Sequence, residues 1–215
     1  MKTKSLDNVS ITVFLLCKDG CTNTINNNQK QFSLRPEFDL HVVPDIINTS
    51  ACKKRHNIIQ EIVSQQQDDI IVICKENVEL TEYYDRDTFL SCLINAAKYG
   101  TNVIFGNVCD CGNIVPAFGN LYWIDWAKAS YFTVIFKTAY KQILSVNNSR
   151  QYNNDEIFHG LTNKLAVFPF IAKRSTLGVS VCKNKESVNN ENKISQRFML
   201  YQRIVKKYNL IDSII

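Results

Sequence analysis

Asp68-Asp69-Ile70-Ile71-Val72-Ile73-Cys74-Lys75-Glu76-Asn77 decides how this chain is read. Ile70 to Cys74 is an unbroken apolar run bracketed by charge, and it lacks the alternation of a sheet wetted on one face. Such a run is expected of a central parallel strand buried on both faces. The informative part is the charged cluster Lys75-Glu76-Asn77 at its C-terminal end, because open parallel sheets bind ligands beyond the carboxyl ends of their strands.

Upstream, Cys52 to Gln66 places Ile58, Ile59, Ile62 and Val63 at helical spacing, with Thr49 and Ser50 as candidate N-caps. Phe38 to Val43 reads as a strand ended by Pro44, and Ser10 to Cys17 as a buried first strand stopped by Lys18-Asp19-Gly20. Thr22 to Gln31, rich in Asn, Gln and Thr, reads as a loop. Downstream, Asp87 to Tyr99 carries Phe89, Leu90, Leu93, Ala96 and Ala97 on one stripe with Gly100 just beyond, which predicts a helix with a glycine stop. Asn102 to Gly106 and Tyr131 to Phe136 read as strands, Thr138 to Val146 and Glu156 to Asn163 as short helices. Leu165 to Ile171 reads as a further strand with Pro169 near its end. This alternation predicts an α/β fold with a doubly wound, mainly parallel sheet, flanking helices and right-handed crossovers.

The 215 residues fit one core, and 45% hydrophobic with 21% charged residues is an ordinary globular composition. A net charge of +5, much of it near the C-terminus, gives no groove-sized basic stripe, so nucleic acid is not an expected partner. No apolar stretch approaches the roughly 20 residues needed to cross a bilayer, and no signal-peptide core follows the first lysines. Cysteines 17, 21, 52, 74, 92, 109, 111 and 182 fall mostly inside predicted strands and helices, where a reduced thiol acts as a small hydrophobe. Cys109-Asp110-Cys111 lacks the second ligand pair that structural zinc needs and reads as a loop. These features together predict a cytoplasmic protein.

Cys182 to Asn192 has hardly any apolar content and reads as a polar linker. Beyond it, Ile194, Phe198, Tyr201, Val205 and Tyr208 form a stripe, with Lys193, Arg197, Arg203, Lys206 and Lys207 elsewhere on the helix. A basic amphipathic helix of this kind docks on its own domain, on a protein partner, or on anionic lipid, the last placing the protein at the inner face of the membrane. The organisation expected is a domain over 1–182 followed by a linker and helix over 183–215.

Three stretches resemble glycosyltransferase family twenty-five, whose lipopolysaccharide-type and collagen-type members use nucleotide sugars. Ala51-Cys52-Lys53-Lys54-Arg55-His56 looks like the family's Gly-Cys-x-x-Ser-His helix opening, followed by Ile70 to Leu80 in the place of its strand ending in Glu-Asp-Asp. Tyr131 to Leu144 is similar to the strand and helix of the acceptor side. Asp155 to Ser180 follows the family's order of an acidic residue, a Pro-Phe strand and a Gly-x-Ser segment. The resemblance covers about three quarters of the chain, by the order and spacing of several short motifs. It implies a GT-A-like glycosyltransferase domain with a nucleotide sugar in the strand-end crevice and a glycan, lipid-linked saccharide or peptide as acceptor.

In metal-dependent members the acidic cluster after the central strand holds Mg²⁺ or Mn²⁺ through carboxylate oxygens. Lys75-Glu76-Asn77 replaces one carboxylate by an ammonium and another by an amide. Glu76 with Asn77 or Glu79 then holds a metal weakly, or Lys75 itself offsets the charge of a departing nucleoside diphosphate, or the segment is a solvated turn. Relatives also tend to carry Gly-x-Ser-Asp where this chain has Gly178-Val179-Ser180-Val181, and a glycine within Lys128-Ala129-Ser130. The alternative implied is a catalytically degenerate, glycosyltransferase-shaped binding protein. Asp155 matches the family's acidic residue and is the candidate base for the acceptor hydroxyl, with Glu156 as the fallback; Asp155 reads equally as an N-cap. His56 reads as a core histidine, and Trp123 and Trp126 around Asp125 as a sugar platform or groove filler.

Overall fold

A computed structural model describes residues 9–18, 22–45, 51–128, 130–146, 156–175 and 185–208. The elements run β1 (Ile11–Lys18), α1 (Thr22–Ser33), β2 (Phe38–Asp45), α2 (Ala51–Gln65), β3 (Ile70–Lys75), β4 (Val78–Leu80), α3 (Arg86–Lys98), β5 (Val103–Phe105), β6 (Asp110–Cys111), β7 (Ile114–Phe118), β8 (Leu121–Ile124), β9 (Ala127–Lys128), β10 (Phe132–Phe136), α4 (Tyr140–Ser145), β11 (Lys164–Val167), β12 (Ala172–Arg174) and α5 (Lys185–Tyr208). An eight-stranded sheet has the order β2-β1-β3-β10-β5-β11-β8-β7, with small two-stranded sheets β12-β4 and β6-β9 beside it. Strands β1, β2, β3, β5, β11 and β7 share one direction, while β10 and β8 run against it.

The α/β, mainly parallel architecture with flanking helices is thus the one observed, and it is wound on both faces. Phe32 of α1 and Phe89, Leu90 and Leu93 of α3 pack on the face that presents Val13, Leu15, Val72 and Ile104. Ile59, Ile62 and Val63 of α2, Ile143 of α4, and Ile194 and Phe198 of α5 pack on the face of Phe14, Leu16, Ile71 and Ile135. The β3 side chains alternate between the two cores, which is why its run is continuously apolar. Helix α3 starts at Asp85, whose carboxylate accepts from the Thr88 N–H at 2.9 Å, and it stops at Gly100, where φ is +64°.

Several expectations change. The segment expected as a loop at Thr22 to Gln31 is helix α1, held by amide side chains as well as by Ile25 and Phe32. The strand at 132–136 enters antiparallel between β3 and β5, a direction that an unbroken apolar pattern does not encode. The helix expected over Glu156 to Asn163 shrinks to a 3-10 turn, Glu156–Phe158, and Lys164 opens β11. The polar stretch expected as a linker is helical from Lys185 onward, continuous with the amphipathic part of α5. Within α5, Ile194, Phe198 and Val205 are buried and Tyr201 is partly buried, but Tyr208 is exposed rather than part of the inner stripe.

Candidate functional site at the strand ends

Strands β2 and β3 lie on opposite sides of β1, and the helices leading to them lie on opposite faces of the sheet. The crevice outside the carboxyl ends of β1 and β3 is therefore a topological switch point, the place where this class of sheet takes ligands. Leu16 pairs with Lys75 there, and the Lys75 N–H donates to the Tyr131 carbonyl at 3.0 Å, tying the end of β3 to the entry of β10.

The turn that follows is fixed from two sides. Asn28 Nδ2 of α1 donates to the Glu76 carbonyl at 2.5 Å, and Gln31 Nε2 donates to the Val78 carbonyl at 3.1 Å. Gln31 Oε1 accepts from the Leu80 N–H at 3.0 Å, and the Ser175 N–H donates to the Asn77 carbonyl at 2.7 Å. Asn28 is buried, so its amide is committed to this turn. Lys75, Glu76, Asn77 and Glu79 are thereby brought together on one braced turn and the strand after it.

The Lys75 ammonium lies 5.5 Å from the centroid of the Tyr131 ring, within cation–π range. Cys109 and Glu191 stand beside the same ring, and the Cys109 thiol donates to Glu191 Oε1 at 3.2 Å. Burial and then the Glu191 carboxylate push the Cys109 thiol up to about 12, with the Lys75 ammonium pulling the other way. The thiolate is the reactive form, so Cys109 is expected to alkylate on the order of a thousandfold more slowly than a free thiol near pH 8. Mass-spectrometric labelling with iodoacetamide checks this; labelling at the rate of a free cysteine would contradict the burial of this cluster.

Next to the cluster is a cleft of about 600 Å³, walled by the loop after β4, the ends of β5 and β11, strand β12, and α5. Tyr83, Asn107, Phe170, Lys173, Glu191 and Arg203 are among its lining residues. Gly106 permits this geometry, because a Cβ there would meet Phe132 Cδ1 at 2.8 Å, while its carbonyl accepts from the N–H groups of Ile171 and Ala172. Glu191 belongs both to the cleft wall and to the Cys109 contact, so the cleft and the Lys75 end of β3 are neighbours.

The described donor set does not suit Mg²⁺ or Mn²⁺. Among the described residues no group of three or more His, Cys, Asp or Glu side chains converges on one point. Glu79 is paired with Lys173 at 3.0 Å, and Glu76 has only an amide and an ammonium as sequence neighbours. A hard divalent ion needs several oxygens and is repelled by ammonium groups at the same turn.

Asp155 lies outside the described residues, as do Thr49, Ser50 and the segment 178–181. Glu156 opens the 3-10 turn whose Ile157 and Phe158 are buried, and its side chain is outside the described set, like that of His56. Asp125 is spent on its own loop: Oδ1 accepts from the N–H groups of Asn113 at 2.9 Å and Trp126 at 2.8 Å, and Oδ2 accepts from Asn113 Nδ2 at 2.9 Å. Trp123 and Trp126 are partly exposed, yet neither lines the strand-end cleft. His41 pairs with exposed Asp39, and His159 Nε2 is 3.0 Å from the Ala127 carbonyl. The sequence did not point to Asn28, Gln31 or Glu191, and it gave Cys109 and Tyr131 no place beside Lys75. The spacing of Ile25, Asn28 and Phe32 was the available signal for the first two.

No family model matches the chain, and no curated protein does. Among solved structures, it is similar to UDP-glucose pyrophosphorylase complexed with UDP-glucose (TM-score 0.46, 10% identity, 87% of this chain and 81% of that one). It is also similar to the glycosyltransferase GlyE of Streptococcus pneumoniae TIGR4 (TM-score 0.45, 9% identity, 75% of this chain and 46% of that one). A Drosophila β1,4-galactosyltransferase 7 mutant in complex with manganese, UDP-Gal and xylobiose gives a TM-score of 0.42 at 13% identity over 84% of this chain and 79% of that one. These are likenesses of chain path at low identity, and the chemistry of the site is read from this chain's own residues.

Proposed function

We propose that this chain is a nucleotide-sugar-dependent glycosyltransferase of GT-A-like shape, acting on a glycan, lipid-linked saccharide or peptide acceptor. The observation that carries the reading is the position of Lys75, at the carboxyl end of β3 beside the switch point, with its ammonium over the Tyr131 ring and a turn braced by Asn28, Gln31 and Ser175 immediately after it. A fixed cation at a strand end suits a diphosphate, whose negative charge grows as the glycosidic bond to the donor breaks. The Tyr131 ring beside the ammonium helps hold it in place, and a charge already in place costs no reorganisation at the moment of reaction. In this reading Lys75 faces the diphosphate with the Asn77 amide beside it, and Glu79 is held by Lys173 at 3.0 Å. Glu76 and Asn77, the residues expected to meet a Mn²⁺ or Mg²⁺ ion, lack the further oxygens such an ion needs among the described residues.

The acceptor occupies the cleft beside them, and Asp155, or Glu156 next to it, takes the proton of its hydroxyl. The release of nucleoside diphosphate from uridine and guanosine sugar nucleotides tests the reading, with glycan and peptide acceptors supplied in turn. Turnover lost in Asp155→Ala with an unchanged melting temperature supports the base. Lost stability with surviving turnover assigns Asp155 to capping and passes the role to Glu156.

A second reading, a catalytically degenerate binding protein of the same shape, is favoured by the donor set, which lacks clustered carboxylates among the described residues. It predicts saturable binding of a sugar nucleotide with no diphosphate release.

A further inference from the structure

Helix α5 has two apolar faces, and the core uses one. Ile194, Phe198 and Val205 are buried against the sheet, and Arg197 is committed inward, donating to the carbonyls of Cys111 at 3.0 Å and Gly112 at 2.6 Å. Leu200, Ile204 and Tyr208, spaced four residues apart, form a second stripe that is 57%, 39% and 61% exposed. Cations accompany it. Lys193, Leu200 and Lys207 recur at seven-residue spacing and so share this face, Arg203 is one helical turn from Leu200, and Lys206 is exposed near Met199. From Asn192 to Tyr208 there is no acidic residue.

We infer that the outer face of α5 is a docking surface for an anionic lipid membrane. The charge on the face selects the occupant. An exposed leucine, isoleucine and tyrosine ringed by lysine and arginine match the composition of helices that lie in the headgroup region with their apolar side chains in the acyl boundary. A protein partner or a second copy of the chain needs no such uniform positive charge, whereas a phosphatidylserine surface attracts each lysine. The helix is seated on its own core through Phe198, so docking is peripheral, and among the described residues no helix is long and apolar enough to cross a membrane. Met199, Gln202 and Arg203 of the same helix line the strand-end cleft, so a docked α5 holds that cleft at the lipid surface.

Sedimentation of the full chain with phosphatidylcholine vesicles, and with vesicles containing phosphatidylserine, tests this. Binding is expected to the anionic vesicles alone and to weaken as salt is raised. The double variant Lys206→Ala/Lys207→Ala is expected to lose roughly thirtyfold in affinity, and Leu200→Glu/Ile204→Glu about as much, with unchanged melting because all four side chains are exposed. Equal binding to both vesicle types, or variants that bind like the parent, would overturn it. So would a concentration-dependent dimer that Leu200→Glu/Ile204→Glu abolishes, which would assign the stripe to a second copy.

Discussion

Replacing Phe198 with alanine is expected to destabilise the protein by about 3–5 kcal/mol, the cost of deleting a large aromatic side chain from a filled core. Phe198 is completely buried. Its ring stacks on Phe168 at 5.2 Å with an interplanar angle of 20°, and meets Tyr122 at 5.4 Å and Phe170 at 5.2 Å edge to face. Three aromatic partners leave little room for collapse into the space. A loss of this size is a large share of the roughly 5–15 kcal/mol that holds an ordinary domain folded. The measurement is a urea titration followed by circular dichroism. One cooperative transition shifted to lower urea makes α5 part of the fold. An unshifted main transition, with a separate loss of helix, would make 183–215 a unit of its own beside a domain over 1–182.

Reversing the charge at Lys75 is the second large effect. Lys75→Glu is expected to weaken nucleotide-sugar binding on the order of a hundredfold, since it removes the cation proposed to face the diphosphate and puts a carboxylate in its place. The substitution lies at the end of β3, after the buried run, and its braces from Asn28, Gln31 and Ser175 are made to backbone atoms of the next residues. The fold is therefore expected to survive, which unchanged thermal melting verifies. Added Mn²⁺ is expected to recover part of the binding in the variant and none in the parent, because only the variant has adjacent carboxylates at 75 and 76. Binding unchanged by the reversal would remove Lys75 from the site.

The sequence showed the strands and helices with long apolar runs or stripes, but it passed over β7 and β8 of the main sheet and the short strand β6 at Asp110–Cys111, which had read as a loop. Ile70 to Cys74 announced β3 because both of its faces are buried, and the Phe89, Leu90, Leu93 stripe announced α3 because one face is. Helix α1 was hidden for the opposite reason: its fixed positions include Asn28 and Gln31, whose amides reach backbone atoms of the turn after β3, and amides raise no hydrophobic signal. The direction of β10 was hidden because an apolar strand reads alike both ways. The first turns of α5 carry Val188 as their one apolar residue. A single valine gives no helical stripe, and these turns extend a helix anchored farther along by Ile194 and Phe198.

The candidate site divides in the same way. Lys75, Glu76 and Asn77 were legible as a charged cluster at a strand end. Tyr131, Cys109 and Glu191 come from three distant parts of the chain, and only the fold brings them beside Lys75. Lys164 is a similar case. It is buried at the start of β11, with Nζ donating to the carbonyls of His159 at 2.9 Å and Leu161 at 2.7 Å, and burial lowers its pKa. A charged residue satisfied by backbone carbonyls leaves no mark in the sequence pattern.

Titration calorimetry of the full chain against uridine and guanosine sugar nucleotides, with and without Mn²⁺, decides whether Lys75 faces a diphosphate. Saturable binding of at least one sugar nucleotide in the absence of metal is expected, weakened on the order of a hundredfold in Lys75→Glu. Binding that requires Mn²⁺, or none across the panel, would contradict it.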